Sequence, residues 1–308
     1  MARVSTITAA YNGEKYIKET IDSLLSQSEK DIEVLIIDSY SSDGTDKIIN
    51  SYADERVKLY NHQKTGGPVA PRNMGIKEAS GEFVGFCDQD DIYYPEKLEK
   101  QITAYEKCEK RDEVGIIIAS ADLIDEAGKI IGHNIKPFEG FMDSNSVHGL
   151  LLKGDAITAC SALVPKKILD EVGYLDESLI GVDDYDLWLR ITEKYGVLTI
   201  KEPLCAWRQS SSSLSANKTK QYIETEKIFL KLGDRTEEIR VGHGKNLMRV
   251  FLSAILDNNL TEASVYRAKL KAYPVSNKMK ILLKTFDLSK KLSYYQLCFL
   301  KMINRVSL

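Results

Sequence analysis

A chain of 308 residues, 43% hydrophobic and 28% charged, has the composition of an ordered globular protein and is long enough for one large domain or two. Its net charge of −3 argues against nucleic acid as the general partner, and no apolar run approaches the ~18 residues that span a bilayer. That charge is unevenly spread, since from Ala263 onward ten Lys and Arg face Asp287 alone, a net +9 that leaves −12 on the rest. Five scattered cysteines (Cys87, Cys108, Cys160, Cys205 and Cys298) contain no C-x-x-C pair. They fit a reducing compartment better than a disulfide framework or a zinc site. The N-terminal residues enter a strand-like run with no secretory pattern, so a cytoplasmic protein, or one held at the cytoplasmic face of a membrane, is expected.

Val4 to Ala10 reads as a strand that enters the turn Tyr11-Asn12-Gly13. Ile17, Ile21, Leu24 and Leu25 then recur at helical spacing. Ile32 to Ile37 is a second buried strand, closing on Asp38 and a polar loop, with a helix from Asp46. Val57 to Tyr60 is a third strand. Lys64 to Pro68 turns into a helix carrying Arg72 and Asn73, and Phe83 to Cys87 is a fourth strand. Strands alternating with helices of this length predict a parallel, doubly wound α/β sheet.

Beyond it the pattern predicts a helix from Pro95 to about Lys110, a strand from Val114 to Ala121 and a hairpin turn at Asp125 to Lys129. A strand over Ala156 to Val164 and a short helix ending at Gly173 follow. A helix over Asp183 to Tyr195 precedes strands at Val197–Ile200 and Leu204–Trp207. From Lys218 on, everything reads as helix, and the boundary between the two parts falls at or just after Ser210 to Ser213.

The chemistry concentrates at strand ends. Phe83 to Cys87 runs into Asp88-Gln89-Asp90-Asp91, three acids that repel one another unless a cation neutralises them. Hard carboxylate ligands suit Mg²⁺ or Mn²⁺. The competing reading is a cap for the next helix, and capping needs one acid, not three. Asp38 ends a parallel strand on the same edge, where ligands of open α/β sheets bind. It either accepts from a nucleobase, with Tyr11 stacked on the ring, or starts an Asx-turn. Arg72 near that edge suits a diphosphate if its guanidinium is free, and is otherwise a structural Arg. Asp183 and Asp184 open a helix, where acids are favoured by the dipole and where one could serve as a general base. Trp207-Arg208-Gln209 and the serines after it form either a loop over phosphates or a polar linker.

Thr8-Ala9-Ala10-Tyr11-Asn12, Glu33 to Asp38 with Ser42-Asp43-Gly44-Thr45, Arg72-Asn73-Met74-Gly75-Ile76 and Asp88-Gln89-Asp90-Asp91 together resemble family 2 of the nucleotide-sugar glycosyltransferases. Gly173-Tyr174-Leu175-Asp176-Glu177 and Asp183 to Arg190 continue the likeness in order, over roughly residues 3 to 215. The resemblance implies a GT-A fold, a Rossmann-like, mostly parallel sheet with flanking helices. Residues 1–215 would be the catalytic domain (1–110 the nucleotide-binding half, 111–215 the acceptor half) and 216–308 a helical C-terminal region. It implies Thr8, Ala9, Tyr11 and Asp38 at the nucleobase, Arg72 near the diphosphate, Asp88 at the ribose, Asp90 on a divalent metal (Mn²⁺ or Mg²⁺) and Asp184 as the base. The activity implied is inverting transfer from a UDP-hexose to a glycan or lipid-linked acceptor in surface polysaccharide assembly. The alternatives are a nucleotidyltransferase, which would need a better phosphate loop than Tyr11 to Lys15, and a non-catalytic partner subunit that binds nucleotide sugar.

Three positions depart from the family's habits: Ser39 follows Asp38 where a second acid is common, Pro71 precedes Arg72, and Ser210 stands where many members carry a histidine. The last predicts a loosely held ion with Asp90 as its main protein ligand, Asp91 being a support or helix cap. The basic, apolar stretch Met279 to Ile303 reads either as a helix lying on an anionic membrane surface or as a subdomain packed on its own chain or on a second copy.

Overall fold

The computed structural model describes residues 2–63, 66–210, 217–274 and 277–288. The chain divides into two compact units, Met1–Leu151 with Ala156–Ser213, and Leu152–Asp155 with Leu214–Leu308. The second division between them falls between Ser213 and Leu214.

The first unit is built on one sheet of ten strands among the described residues, ordered β3-β2-β1-β4-β9-β6-β10-β5, with β7 on β6 and β8 on β10. Its strands are β1 (Val4–Ala10), β2 (Ile32–Asp38), β3 (Val57–Asn61), β4 (Phe83–Phe86), β5 (Ile92–Tyr93), β6 (Val114–Ile124), β7 (Ile130–Asn134), β8 (Gly140–Met142), β9 (Ala162–Pro165) and β10 (Gly196–Arg208). β1 runs parallel to β2 and β4, β2 to β3, and β6 to β10. β9 is antiparallel to both β4 and β6, which makes β4 and β6 parallel across it. The carboxyl ends of β1, β2, β4 and β6 thus share one edge, so the sheet is mostly parallel as expected.

Local departures from the sequence reading lie in the middle of the chain. Ala156 to Val164 is not one strand; a 3₁₀ turn at Ala159–Ser161 precedes a short β9. The two strands expected near Val197 and Leu204 are one, β10, with irregular register around Pro203. A proline donates no ladder hydrogen bond, so the pairing is interrupted there.

Helices α1 (Ile17–Leu25) and α4 (Lys97–Lys107) cover one face of the sheet. Ile17, Ile21, Leu24, Leu98 and Ile102 join Ile36, Phe83, Cys87, Ile117, Ala121 and Cys205 in one buried cluster. Side chains alternate along a strand, so the neighbours of Cys87 and Ala121, Asp88 and Asp122, turn to the other face. That face carries α3 (Val69–Glu78) and α7 (Asp183–Thr192). α3 lies close because Gly75 has no side chain; a Cβ there would stand 2.5 Å from Ile7 Cγ2 and 2.9 Å from Ile37 Cδ1. Pro71 sits in the first turn of α3, where no intrahelical bond is lost. The remaining helices of this unit are α2 (Thr45–Asn50), α5 (Ser144–Leu151) and α6 (Lys166–Val172), the last ended by Gly173 at φ 85°.

The second unit is helical throughout its described residues: α8 (Lys218–Leu232), α9 (Glu237–Leu256), α10 (Leu260–Lys269) and α11 (Asn277–Leu288). Asn217, Thr236 and Asn259 cap the first three, each side chain accepting a backbone N–H of the first turn. Leu282, Leu283 and Phe286 of α11 are buried against Leu247, Phe251, Ile255 and Leu270. Within this stretch those three side chains pack on the bundle itself while Ile281 is exposed, and residues 289–303 lie outside the described residues. No helix among the described residues is long and apolar enough to cross a membrane.

Candidate active site

The loops after β1 and β2 are laced together at the carboxyl edge. Asn12, at φ 49°, donates its N–H to Ser41 Oγ (2.8 Å) and accepts from Ser42 N (2.8 Å). Glu14 accepts from Gly44 N (3.0 Å) and Gly13 N donates to Thr45 Oγ1 (2.8 Å). Asp38 is buried and both its oxygens face Ser41, accepting from the backbone N–H (2.9 Å) and the hydroxyl (2.5 Å). Its first duty is therefore the Asx-type turn. Tyr11 is exposed at the rim, and its backbone N–H and C=O are both held by the Gln89 carboxamide (2.9 and 3.2 Å). Below it Ala9 is half-buried, and Thr8 is buried with a hydroxyl that has no hydrogen-bond partner among the described residues.

The acids after β4 divide by environment. Asp88 is half-exposed and paired with Arg72 Nη2. Arg72 is buried, and its Nη1 donates to Asp183 Oδ2 (2.9 Å), itself 1% exposed. Burial alone would push the guanidinium toward neutrality, but Asp88 and Asp183 hold it charged, above its ordinary range. Of the two readings offered for Arg72, a free guanidinium or a structural Arg, the contacts are those of the second; it ties α3 to the β4 loop and to the start of α7. Asp91 is buried and accepts the N–H of Arg208 (3.0 Å). It supports β10 rather than capping α4, which starts six residues later. Burial and the neighbouring Asp88 and Asp90 charges push its pKa well up. Asp90 is raised to about 6, first by burial and then by the Asp88 charge.

Arg208 was weighed from sequence as a phosphate-loop residue, and its side chain is spent on its own fold. Nε donates to the Asp90 carbonyl (2.8 Å), Nη2 pairs with Glu19 (2.6 Å), Nη1 reaches the Asp125 carbonyl (3.1 Å), and the guanidinium lies 4.4 Å from the centre of the Tyr16 ring.

Among the described residues no group of three His, Cys, Asp or Glu is arranged to hold a metal. The fit to a divalent ion is instead that of one carboxylate. Asp91 is spent on Arg208 and Asp88 on Arg72, while Asp90 remains at the edge, kept high in pKa by lack of solvent and a like charge. A cation relieves that strain, and Mg²⁺ commonly takes one or two carboxylates and fills its shell with water and substrate phosphates.

Asp184 stands half-buried in the first turn of α7 with Oδ1 accepting from Tyr185 N (2.8 Å). It lines a crevice with Arg72, Phe86, Ala159, Leu175, Leu187 and Trp188. The start of α7 is fixed from three sides. Asp183 is held by Arg72. Asn73 clamps Leu175 with two bonds, Nδ2 to its carbonyl and Oδ1 from its N–H (both 2.9 Å). Arg190 pairs with Asp186 (2.9 Å) and donates to the carbonyls of Val172, Gly173 and Tyr174. Trp188 is buried edge-on to Phe86, 6.2 Å between ring centres, and its indole N–H has no partner among the described residues.

The structure brings Arg72 and Asp184 to one crevice, with Asp88 paired to Arg72 beside it. Sequence reasoning did not foresee Asp183 as the buried counter-ion of Arg72, Gln89 as the clamp on Tyr11, or Asn73 as the clamp on Leu175. The only available signal was that each is a polar residue inside a motif dominated by better-known neighbours.

A mostly parallel sheet with acids at the carboxyl ends of β2 and β4 and a rigid acidic helix start facing them is the scaffold of a GT-A glycosyltransferase. Sequence comparison agrees: the profile "Glycosyl transferase family 2" matches residues 5–173, and the chain belongs to that family. It is 31% identical over 256 residues to glycosyltransferase RP339 of Rickettsia prowazekii (strain Madrid E), covering 82% of this chain and 78% of that protein. To the Escherichia coli UDP-Glc:alpha-D-GlcNAc-diphosphoundecaprenol beta-1,3-glucosyltransferase WfgD it is 30% identical over 220 residues, 71% of this chain and 81% of that one. Other rickettsial glycosyltransferases that it matches are longer, and the chain spans 31% of their length. The fold is similar to Staphylococcus aureus TarS 1–349 in complex with UDP-GlcNAc, with a TM-score of 0.66 at 20% identity, covering 100% of this chain and 93% of that one. The protein is a glycosyltransferase, which sets aside the nucleotidyltransferase alternative.

Proposed function

We propose that this enzyme moves a sugar, with inversion, from a UDP-sugar to a hydroxyl of a lipid-linked saccharide, with a divalent cation at Asp90 and Asp184 as the general base. The observation that carries the reading is the shared crevice. Asp184 faces the same side of the sheet as the Arg72–Asp88 pair, on a helix whose start is anchored by Arg72, Asn73 and Arg190. The UDP donor is supported by the names of WfgD and of the TarS complex, and the lipid-linked acceptor by that of WfgD.

In this reading Thr8, Ala9, Tyr11 and Asp38 receive the nucleobase. Asp88 meets the ribose while Arg72 holds its carboxylate in place and adds positive charge beside the diphosphate. A divalent ion, Mg²⁺ or Mn²⁺, bound by Asp90 would offset the charge that grows on the leaving diphosphate. Asp184 accepts the acceptor hydroxyl's proton as its oxygen attacks the anomeric carbon, and the bond from that carbon to the diphosphate breaks, releasing UDP. One base opposite the leaving group gives a single displacement, hence inversion. An acceptor on a lipid carrier would bring the enzyme to the inner face of the membrane as a peripheral protein, with the basic C-terminal residues toward anionic headgroups.

The test is Asp184→Asn. Transfer should fall by about 10³-fold or more with UDP affinity within about twofold of wild type. Loss of UDP binding in its place sinks the base assignment. Asp90→Asn should remove the dependence of nucleotide binding on added Mn²⁺.

A further inference from the structure

A polar arrangement outside the donor residues lies on the same sheet face. The Tyr94 hydroxyl donates to Asp122 Oδ2 (2.6 Å), and His133 Nδ1 lies 2.7 Å from Asp122 Oδ1. Asp122 is 9% exposed in its side chain and His133 55%. Burial and the Asp122 carboxylate both raise the Tyr94 pKa, so the phenol keeps its proton and donates. A carboxylate only accepts, so Nδ1 carries a proton, and Nε2 is the ring nitrogen left for another partner.

Its position follows from register. Gly85 of β4 is level with Leu163 of β9, which is level with Ile117 of β6. Phe86, the last residue of β4, is one past Gly85, and Asp122 is five past Ile117. Asp122 therefore stands about four residues beyond the end of β4 toward the carboxyl edge and about 10 Å across the sheet. Ile117 and Ala121 point into the α1/α4 core, so Asp122 points to the crevice face, as Asp88 does beside Cys87. β7 pairs with the end of β6, its Asn134 bonding Thr158 (3.0 Å) just before the 3₁₀ turn whose Ala159 lines the crevice. Near His133 in the chain, Ile131 at the bulge of β7 and Ile135 just past its end are exposed by 56% and 52%.

We propose that His133 binds the acceptor saccharide. Its Nε2 shares a hydrogen bond with an acceptor hydroxyl, while the exposed Ile131 and Ile135 offer apolar surface to the sugar's C–H face. Asp122, with Tyr94 behind it, is a positioning residue that fixes the ring's tautomer and direction. The donor end of the crevice is fully furnished by β1, β2 and β4. An imidazole nitrogen farther along the edge, oriented by a buried carboxylate, suits a hydroxyl-rich neutral group, whose hydroxyls both donate and accept.

This inference rests on the proposed function, and one experiment separates the two. The full-length protein is assayed with UDP-sugars and alpha-D-GlcNAc-diphosphoundecaprenol, reading both sugar transfer and UDP release to water. His133→Ala should raise the acceptor KM by about tenfold, the effect of one lost hydrogen bond. Its donor KM, kcat at saturating acceptor and UDP release to water should stay at wild-type values. His133→Asn, which keeps an acceptor oxygen, should recover part of the loss, and Asp122→Asn should raise the acceptor KM with the ring still present. An unchanged acceptor KM in His133→Ala overturns the inference alone, as does an equal loss in UDP release to water, which would mark a merely structural role. If the wild type releases UDP to water but transfers nothing to this lipid, the acceptor class fails and the inference falls with it.

Discussion

The Arg72–Asp183 pair is the strongest test of how this site is held. Side-chain exposures of 9% and 1% leave the two charges almost without solvent, while the second partner, Asp88, is 40% exposed. Breaking a buried pair by removing one charge costs about 3–5 kcal/mol, because the other is left uncompensated. Asp183→Asn keeps a carbonyl oxygen for Arg72 Nη1, and Asp88 remains, so about 2–3 kcal/mol is expected. Arg72→Met should cost about as much, since it strands Asp183. The double variant should cost well under the sum, with a coupling of about 2 kcal/mol. Both tryptophans, Trp188 and Trp207, lie in the sheet unit, so their fluorescence during urea unfolding reports this unit. Additivity within about 0.5 kcal/mol would refute the claim that the pair acts as one unit.

Glu33 is buried on β2, accepting from Ser5 Oγ (2.6 Å), Ser80 N (2.7 Å) and Ser80 Oγ (2.8 Å), and pairing with Lys58 (2.7 Å). Burial works to raise its pKa, but Lys58 and the serine donors outweigh it and bring it from 4.5 down to about 2. A depressed carboxylate stabilises the fold above its unfolded pKa and loses that contribution as pH falls from about 4.5 to about 2. Glu33→Gln should therefore cost about 2–3 kcal/mol at pH 7, and its melting temperature should converge with wild type over that acid window; a constant gap would contradict the sign. Gly75→Ala should destabilise by about 1–3 kcal/mol through overpacking against Ile7 and Ile37, and a neutral melt would show that α3 can shift freely. Gln89→Ala should raise the KM for the UDP-sugar by about three- to tenfold with kcat little changed, as Tyr11 loses both backbone anchors; an unchanged KM would remove Tyr11 from the nucleobase site.

The alternation of apolar strands and amphipathic helices, and acids where strands end, were enough by themselves to read a parallel α/β sheet with its chemistry at the carboxyl edge. Periodicity carries that information because burial repeats every two or every 3.6 residues. The split near Ser210 and the helical second unit were legible for the same reason. Pairing across distance was not. Nothing local says that β9 turns antiparallel between β4 and β6, or that Arg72 spends its charge on a residue 111 positions away. Nor does it say that Asp91 serves Arg208 while Asp90 keeps its place at the edge. Three neighbouring aspartates are alike as letters; solvent, counter-ions and backbone donors brought by other elements make them different acids.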